Sequence, residues 1–168
     1  MNVDLIIYDA AQLVTCAAPR GAAKKGAAAM RDVGLIENGA VAVKDGVIAG
    51  CGASSEILKN FSAANFIDAR GKTIAPGFVD CHTHVVYAGN RLDEFELKIK
   101  GADYLEILKS GGGILSTVRQ TREASLEKLI AESAARLDKM LAHGTCTAEV
   151  KTGYGLDTET ELKMLRAI

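Results

Sequence analysis

His82 and His84 stand one residue apart at the end of the run Pro76-Gly77-Phe78-Val79-Asp80-Cys81-His82-Thr83-His84. On a strand, side chains at i and i+2 project from one face, so the two imidazoles can aim at a single point. Neutral imidazole is the commonest protein ligand for zinc and suits iron equally well, and catalytic sites pair about three protein ligands with an open position for water. The competing reading is two hydrogen-bonded histidines at a strand end. The Pro-Gly-Phe-Val-Asp lead and the strand context favour metal ligation. Asp80 shares their face by parity and reads as a supporting carboxylate rather than a ligand.

Arg91 follows in Ala88-Gly89-Asn90-Arg91. A guanidinium near a metal suits a bidentate grip on a substrate carboxylate, although local sequence alone favours a surface arginine paired with Asp93 or Glu94. Tyr154, flanked by glycines after a strand, can offer its hydroxyl to a ligand and ranks above Tyr104, which equally reads as a helix-packing residue. Gly111-Gly112-Gly113 lacks the Gly-Lys-Ser/Thr of a phosphate loop and reads as a flexible loop over a site. Glu149 and Lys151 share a strand face and read as a buried ion pair. His143, before Gly144 at a helix end, reads as a dipole-favoured terminal residue and not as a ligand.

The elements that must position these residues change character along the chain. To about Arg70 the pieces are short and β-like: Val3 to Tyr8, Ala40 to Val43, Val47 to Ala49 and Phe66 to Asp68, with Lys44-Asp45-Gly46 supplying hairpin chemistry. The Ala- and Gly-rich stretch Pro19 to Met30 reads as a loop. From Lys72 strand, loop and helix alternate. Ser125 is an N-cap, and Leu126, Leu129, Ile130, Ala134, Leu137 and Leu141 make one helical stripe that Gly144 ends. A strand from Thr145 to Lys151 follows, and then a helix capped by Asp157 or Thr158. The alternation is the beginning of a parallel α/β architecture.

With 168 residues and a formal net charge of −1, acids and bases interspersed, the chain has no electrostatic pull toward nucleic acid or anionic membranes. Cys16, Cys51, Cys81 and Cys146 show no CxxC spacing and read as reduced, buried thiols of a cytoplasmic protein. No apolar stretch approaches the ~20 residues of a membrane span, and no signal peptide is legible.

Taken together the residues resemble the amidohydrolase superfamily and, within it, the imidazolonepropionase family. The first likeness rests on Ala75 to His84 following a small β domain. The closer one rests on Tyr87-Ala88-Gly89-Asn90-Arg91-Leu92-Asp93-Glu94-Phe95, on Ser110-Gly111-Gly112-Gly113-Ile114 with Thr117-Val118-Arg119 and Thr121-Arg122, and on Ala148-Glu149-Val150-Lys151-Thr152-Gly153-Tyr154-Gly155-Leu156 leading into Glu159-Thr160-Glu161-Leu162-Lys163. The resemblance implies an α/β fold, the start of a (β/α)₈ barrel preceded by a small β-sandwich domain, divided here into residues 1–71 and 72–168. It implies one zinc or iron ion held first by His82 and His84, substrate contacts from Arg91, Tyr154 and Tyr104, and hydrolysis of 4-imidazolone-5-propanoate to N-formimidoyl-L-glutamate in histidine degradation. The partners expected are that small-molecule substrate and a homodimer mate. The remaining ligands, a histidine and an aspartate, and the catalytic acid/base groups are expected beyond Ile168, so the 168-residue chain alone is expected to be inactive. Another cyclic amidohydrolase or deaminase would look the same at the histidine pair, and a non-catalytic piece completed by a second chain is the alternative of a different class.

Overall fold

The computed structural model describes residues 1–18 and 22–168, in two compact units, Met1–Pro76 and Gly77–Ile168. In chain order the first unit holds β1 (Asn2–Val14), α1 (Ala27–Arg31), β2 (Leu35–Lys44), β3 (Val47–Ala53), α2 (Ser54–Asn60), β4 (Ser62–Asp68) and β5 (Thr73–Ile74). These strands make one sheet in the order β3-β2-β1-β4, with β5 also on β1. The β2–β3 hairpin closes as the sequence requires: Asp45 and Gly46 take φ values of 51° and 75°, the left-handed pair of a two-residue turn whose twist matches the strands. Ile6 is fully buried among Val3, Ala40, Ala42 and Ile57. The small side chains of Ala40 and Ala42 leave room for α2, an element the sequence reading did not foresee.

Three features of this unit differ from expectation. Among its described residues there is one sheet, and α2 rather than a second sheet covers the face of Ile6, so a sandwich is not seen. Thr73–Ile74 pairs in parallel with Gln12 and Leu13 of β1, which carries the unit to Pro76, past the boundary expected at residue 71. The stretch read as a loop contains the short helix α1, which buries no side chain; its residues 19–21 lie outside the described residues.

The second unit holds β6 (Phe78–Thr83), α3 (Leu92–Ile99), α4 (Tyr104–Lys109), α5 (Ile114–Glu123), α6 (Leu126–Ala142), β7 (Thr145–Val150) and α7 (Thr158–Ala167). β6 and β7 pair in parallel, as strand-helix-strand alternation demands. Ser125 caps α6 by accepting the Lys128 N–H at 3.2 Å, and Asp157 caps α7 by accepting that of Thr160 at 2.7 Å. His143 closes α6, its Nδ1 2.7 Å from the Lys139 carbonyl, and Gly144 follows at φ 95°. The core gathers Val86, Ala88, Ala124, Leu129 and Met164. Only Leu129 and Ser133 of α6 are buried, because α6 meets α7 and the segment after β6 along a narrow line; Ile130, Leu137 and Leu141 of the expected stripe stay exposed.

The four cysteines are free, as read, but all are exposed rather than buried. For Cys81 and Cys146 the reason is that β6 and β7 form a two-stranded sheet that covers few of its own side chains. No helix among the described residues is long and apolar enough to cross a membrane.

Candidate functional site

The parallel ladder fixes the histidines. Thr83 pairs with Val150, its carbonyl accepts the Lys151 N–H at 2.8 Å, and its hydroxyl donates to the Glu149 carbonyl at 2.9 Å. His82 and His84 flank this anchored residue, and their ring centroids lie 5.6 Å apart, edge to face. Nδ1 of His84 is buried and has no hydrogen-bond partner. Asp80 accepts the backbone N–H of His82 at 3.2 Å, which makes it a brace on the strand end.

Beyond His84 the chain leaves the ladder, and its carbonyls need other donors. Arg136 of α6 provides them: its Nη1 donates to the carbonyls of Val85 and Tyr87, each at 2.9 Å, and its guanidinium carbon lies 3.7 Å from the Tyr87 ring centroid. Tyr87 packs edge-on to Tyr154 at 6.0 Å, and Tyr154 lies against His84 at 5.2 Å. The aromatic chain therefore runs from a fixed cation to the histidine pair.

Tyr154 is held from behind. Glu161, on the first turn of α7, accepts the N–H groups of Gly155 at 2.7 Å and Leu156 at 2.9 Å. Burial pushes the Glu161 carboxyl up, but the Thr152 hydroxyl and the N–H groups of Leu156, Gly155 and Gly153 outweigh it and leave the pKa below the usual range. Arg122 adds its Nε to the Gly155 carbonyl at 2.7 Å and pairs with Asp157 at 2.9 Å. Lys163, one turn above the first residues of α7, donates to the carbonyls of Thr121, Arg122 and Ala124, closing the end of α5.

Tyr87, Asn90, Arg91, Thr117 and Tyr154 line a cavity of about 300 Å³. Arg91 makes the ion pair expected from local sequence and also stands in the cavity wall. Its Nε and Nη2 donate to Oε2 of Glu94 at 2.8 and 2.5 Å. Glu94 is 8% exposed, and its Oε1 accepts the N–H of Gly113 at 2.9 Å. The hydrogen bond from Arg91 is the main cause of a Glu94 pKa below its ordinary value, and it raises that of Arg91 in return.

The structure thus brings His82, His84, Tyr154 and Arg91 into one region through Tyr87. Tyr104 is the first residue of α4, 60% exposed, and does not line the cavity. Glu149 and Lys151 do pair, at 2.8 Å, but both are half-exposed rather than buried, since β7 has open space on that face. The glycine triplet is a tight corner rather than a loose flap: Gly113 caps α5 at φ 79°, and a Cβ on Gly112 would lie 3.0 Å from the Glu94 carboxyl carbon. Sequence reasoning named Glu94 only as a surface partner of Arg91 and gave Tyr87, Asn90, Thr117, Arg136 and Glu161 no role. All but Arg136 stand inside the runs that carry the resemblance, while Arg136 gives no local signal because its partners are 49 and 51 residues away.

No family model matches the chain. It is 50% identical over 165 residues to an imidazolonepropionase of Chloroflexus aggregans, a match covering 98% of this chain and 38% of that protein. It is 50% identical to that of Alkaliphilus oremlandii, covering 100% and 40%, and 58% identical over 134 residues to that of Halobacterium salinarum, covering 78% and 32%. The chain spans about two fifths of the length of the first two. Among solved structures, an adenosine deaminase from Xanthomonas campestris with bound zinc superposes with a TM-score of 0.61 at 18% identity, covering 98% of this chain and 32% of that one. An E. coli guanine deaminase gives 0.57 at 24% identity, covering 86% and 30%. At such identities the likeness is one of mixed α/β fold.

Proposed function

We propose that this chain, a stretch of amidohydrolase-family sequence that matches imidazolonepropionases from end to end, supplies the first metal ligands and the carboxylate anchor for hydrolytic opening of 4-imidazolone-5-propanoate. The observation that carries the proposal is the contact chain from the histidine pair through Tyr154 to a cavity lined by Arg91. Its volume, about 300 Å³, suits a small ring bearing one short acid arm. In this reading the fold is the opening portion of a (β/α)₈ barrel, with β6 and β7 as its first strands.

The chemistry of the donor set fits a metal ion. His82 and His84 offer two imidazoles on one strand end, and the buried Nδ1 of His84 is unspent. Two nitrogens of this kind fit zinc or iron, and no third His, Cys, Asp or Glu joins them among the described residues. A metal ion held there supplies Lewis acidity for hydrolysis. The chain's own residues do the positioning: Arg91 takes the propanoate, and Tyr154 places its ring between cavity and histidines. Asn90 and Thr117 add polar groups to the wall. Holding the ring beside the reacting centre is catalysis by orientation.

The test is a chimera in which this chain replaces the matching part of the Chloroflexus aggregans relative. It is expected to open imidazolonepropionate and to carry metal, and His82→Ala or His84→Ala should lose both together. Full metal content in either variant would refute the ligand assignment. A chimera that folds, binds metal and leaves imidazolonepropionate intact while turning over a purine or pyrimidine amine would refute the substrate.

A further inference from the structure

We propose that Glu94 is a positioning residue that locks the Arg91 guanidinium so that its Nη1–Nη2 edge is left to fork a ligand carboxylate; this rests on the reading of Arg91 as the carboxylate anchor.

The Arg91–Glu94 pair is asymmetric. An ordinary helix-surface ion pair exposes both partners and contributes little. Here the Arg91 side chain is 41% exposed and that of Glu94 only 11%, so the carboxylate is embedded and the guanidinium faces the open side. Arg91 precedes α3 and Glu94 lies in its first turn, which puts the pair at the close i,i+3 spacing. Oε2 takes Nε and Nη2, while Oε1 is spent on the Gly113 N–H across the corner into α5. Gly112 wraps the same group: an added Cβ would also meet the Ile107 carbonyl at 2.9 Å and its Cγ2 at 2.8 Å. The carboxylate is therefore fixed from two elements before any ligand arrives.

A guanidinium carries five N–H donors in a planar fork. Glu94 engages the Nε side, and the two Nη1 protons with the second Nη2 proton remain. One Nη1 proton and that second Nη2 proton form the edge that matches a carboxylate bidentately. A free arginine would lose rotamer freedom on taking the ligand; a clamped one has already lost it. The ionised state of Glu94, secured by Arg91 itself, keeps the clamp in place at neutral pH.

Electrostatics and positioning make opposite predictions, which makes the idea testable. Neutralising Glu94 would leave the Arg91 charge uncompensated and by charge alone should tighten binding of an anion. Loss of the clamp should weaken it. The probes are imidazole-4-propanoate and its uncharged propanamide, titrated into the 168-residue chain and followed by NMR. The parent is expected to prefer the propanoate, Arg91→Ala to abolish the preference, and Glu94→Gln to reduce it by about tenfold, the order of one charge-assisted hydrogen bond. Glu94→Gln added to Arg91→Ala should change nothing further, because Glu94 acts through Arg91. Independently of any ligand, the Arg91 Nε–H signal should exchange slowly with water in the parent and at the rate of a free arginine in Glu94→Gln. A parent without preference for the propanoate, or an Arg91→Ala variant that keeps it, overturns both the anchor reading and this inference. A preference lost in Arg91→Ala but unchanged or increased in Glu94→Gln, or an Nε–H that stays protected there, overturns the inference alone.

Discussion

Arg136→Ala should be the most damaging single change near the candidate site that replaces none of the residues lining its cavity. The side chain is 24% exposed and makes two hydrogen bonds of 2.9 Å to carbonyls that the irregular segment after β6 cannot satisfy by itself. At the low end of the range for a charged donor, each contributes about 1.5 kcal/mol. The stack on Tyr87 at 3.7 Å adds about 0.5 kcal/mol, and the 3.1 Å pair with Glu132 about 0.3 kcal/mol. The expected cost is therefore about 3.8 kcal/mol, or roughly five-hundredfold in the equilibrium for opening this segment. Lysine can reach one carbonyl and cannot stack as a plane, so Arg136→Lys should recover about half. Native-state hydrogen exchange reads the effect locally, at the amides of Val86 and Ala88, without needing a two-state transition for the whole chain. A loss below about 0.5 kcal/mol, the range of ordinary surface substitutions, would refute the reasoning, and so would a lysine variant equal to the parent.

Ser125→Ala removes the acceptor for the Lys128 N–H and should cost about 1 kcal/mol, seen as lower urea resistance of α6. Gly112→Ala should destabilise the second unit by about 1 to 3 kcal/mol through overpacking against Ile107 and Glu94, and free Arg91 from its partner; an unchanged Arg91 side-chain NMR signal would contradict this. Glu94, Asp157 and Glu161 all have folded pKa values below their ordinary ones, so their contribution is complete above the usual carboxylate range, about 4, and is lost as pH falls through the lowered values. Acid unfolding of the second unit should accordingly flatten in Glu161→Gln, and an identical pH profile would count against it.

Local chemistry was legible where a residue acts on its near neighbours. The Asp45-Gly46 turn, the Ser125 and Asp157 caps and the parallel β6–β7 pair follow from side-chain type and periodicity alone. The i,i+2 histidines were equally plain. What the sequence hid are the long-range satisfactions. Nothing around Arg136 announces two carbonyls on a distant segment, and nothing around Lys163 announces carbonyls 39, 41 and 42 residues back. Burial was misjudged for the same reason: the apolar periodicity of α6 marks a face that could be covered, whereas Leu129 alone among its large apolar side chains is fully so. Arg91 shows the limit of choosing between readings, since ion pair and cavity wall are one arrangement.

Glu161 and Lys163, two residues apart on α7, hold the Tyr154 loop and the end of α5 respectively. A nascent chain can therefore build β6, α5 and α6 and still lack a settled Tyr154 until α7 has emerged and docked. The Gly155 and Leu156 amides then become a clock for that last event: their protection from exchange should appear in step with α7 during refolding and vanish with it on opening.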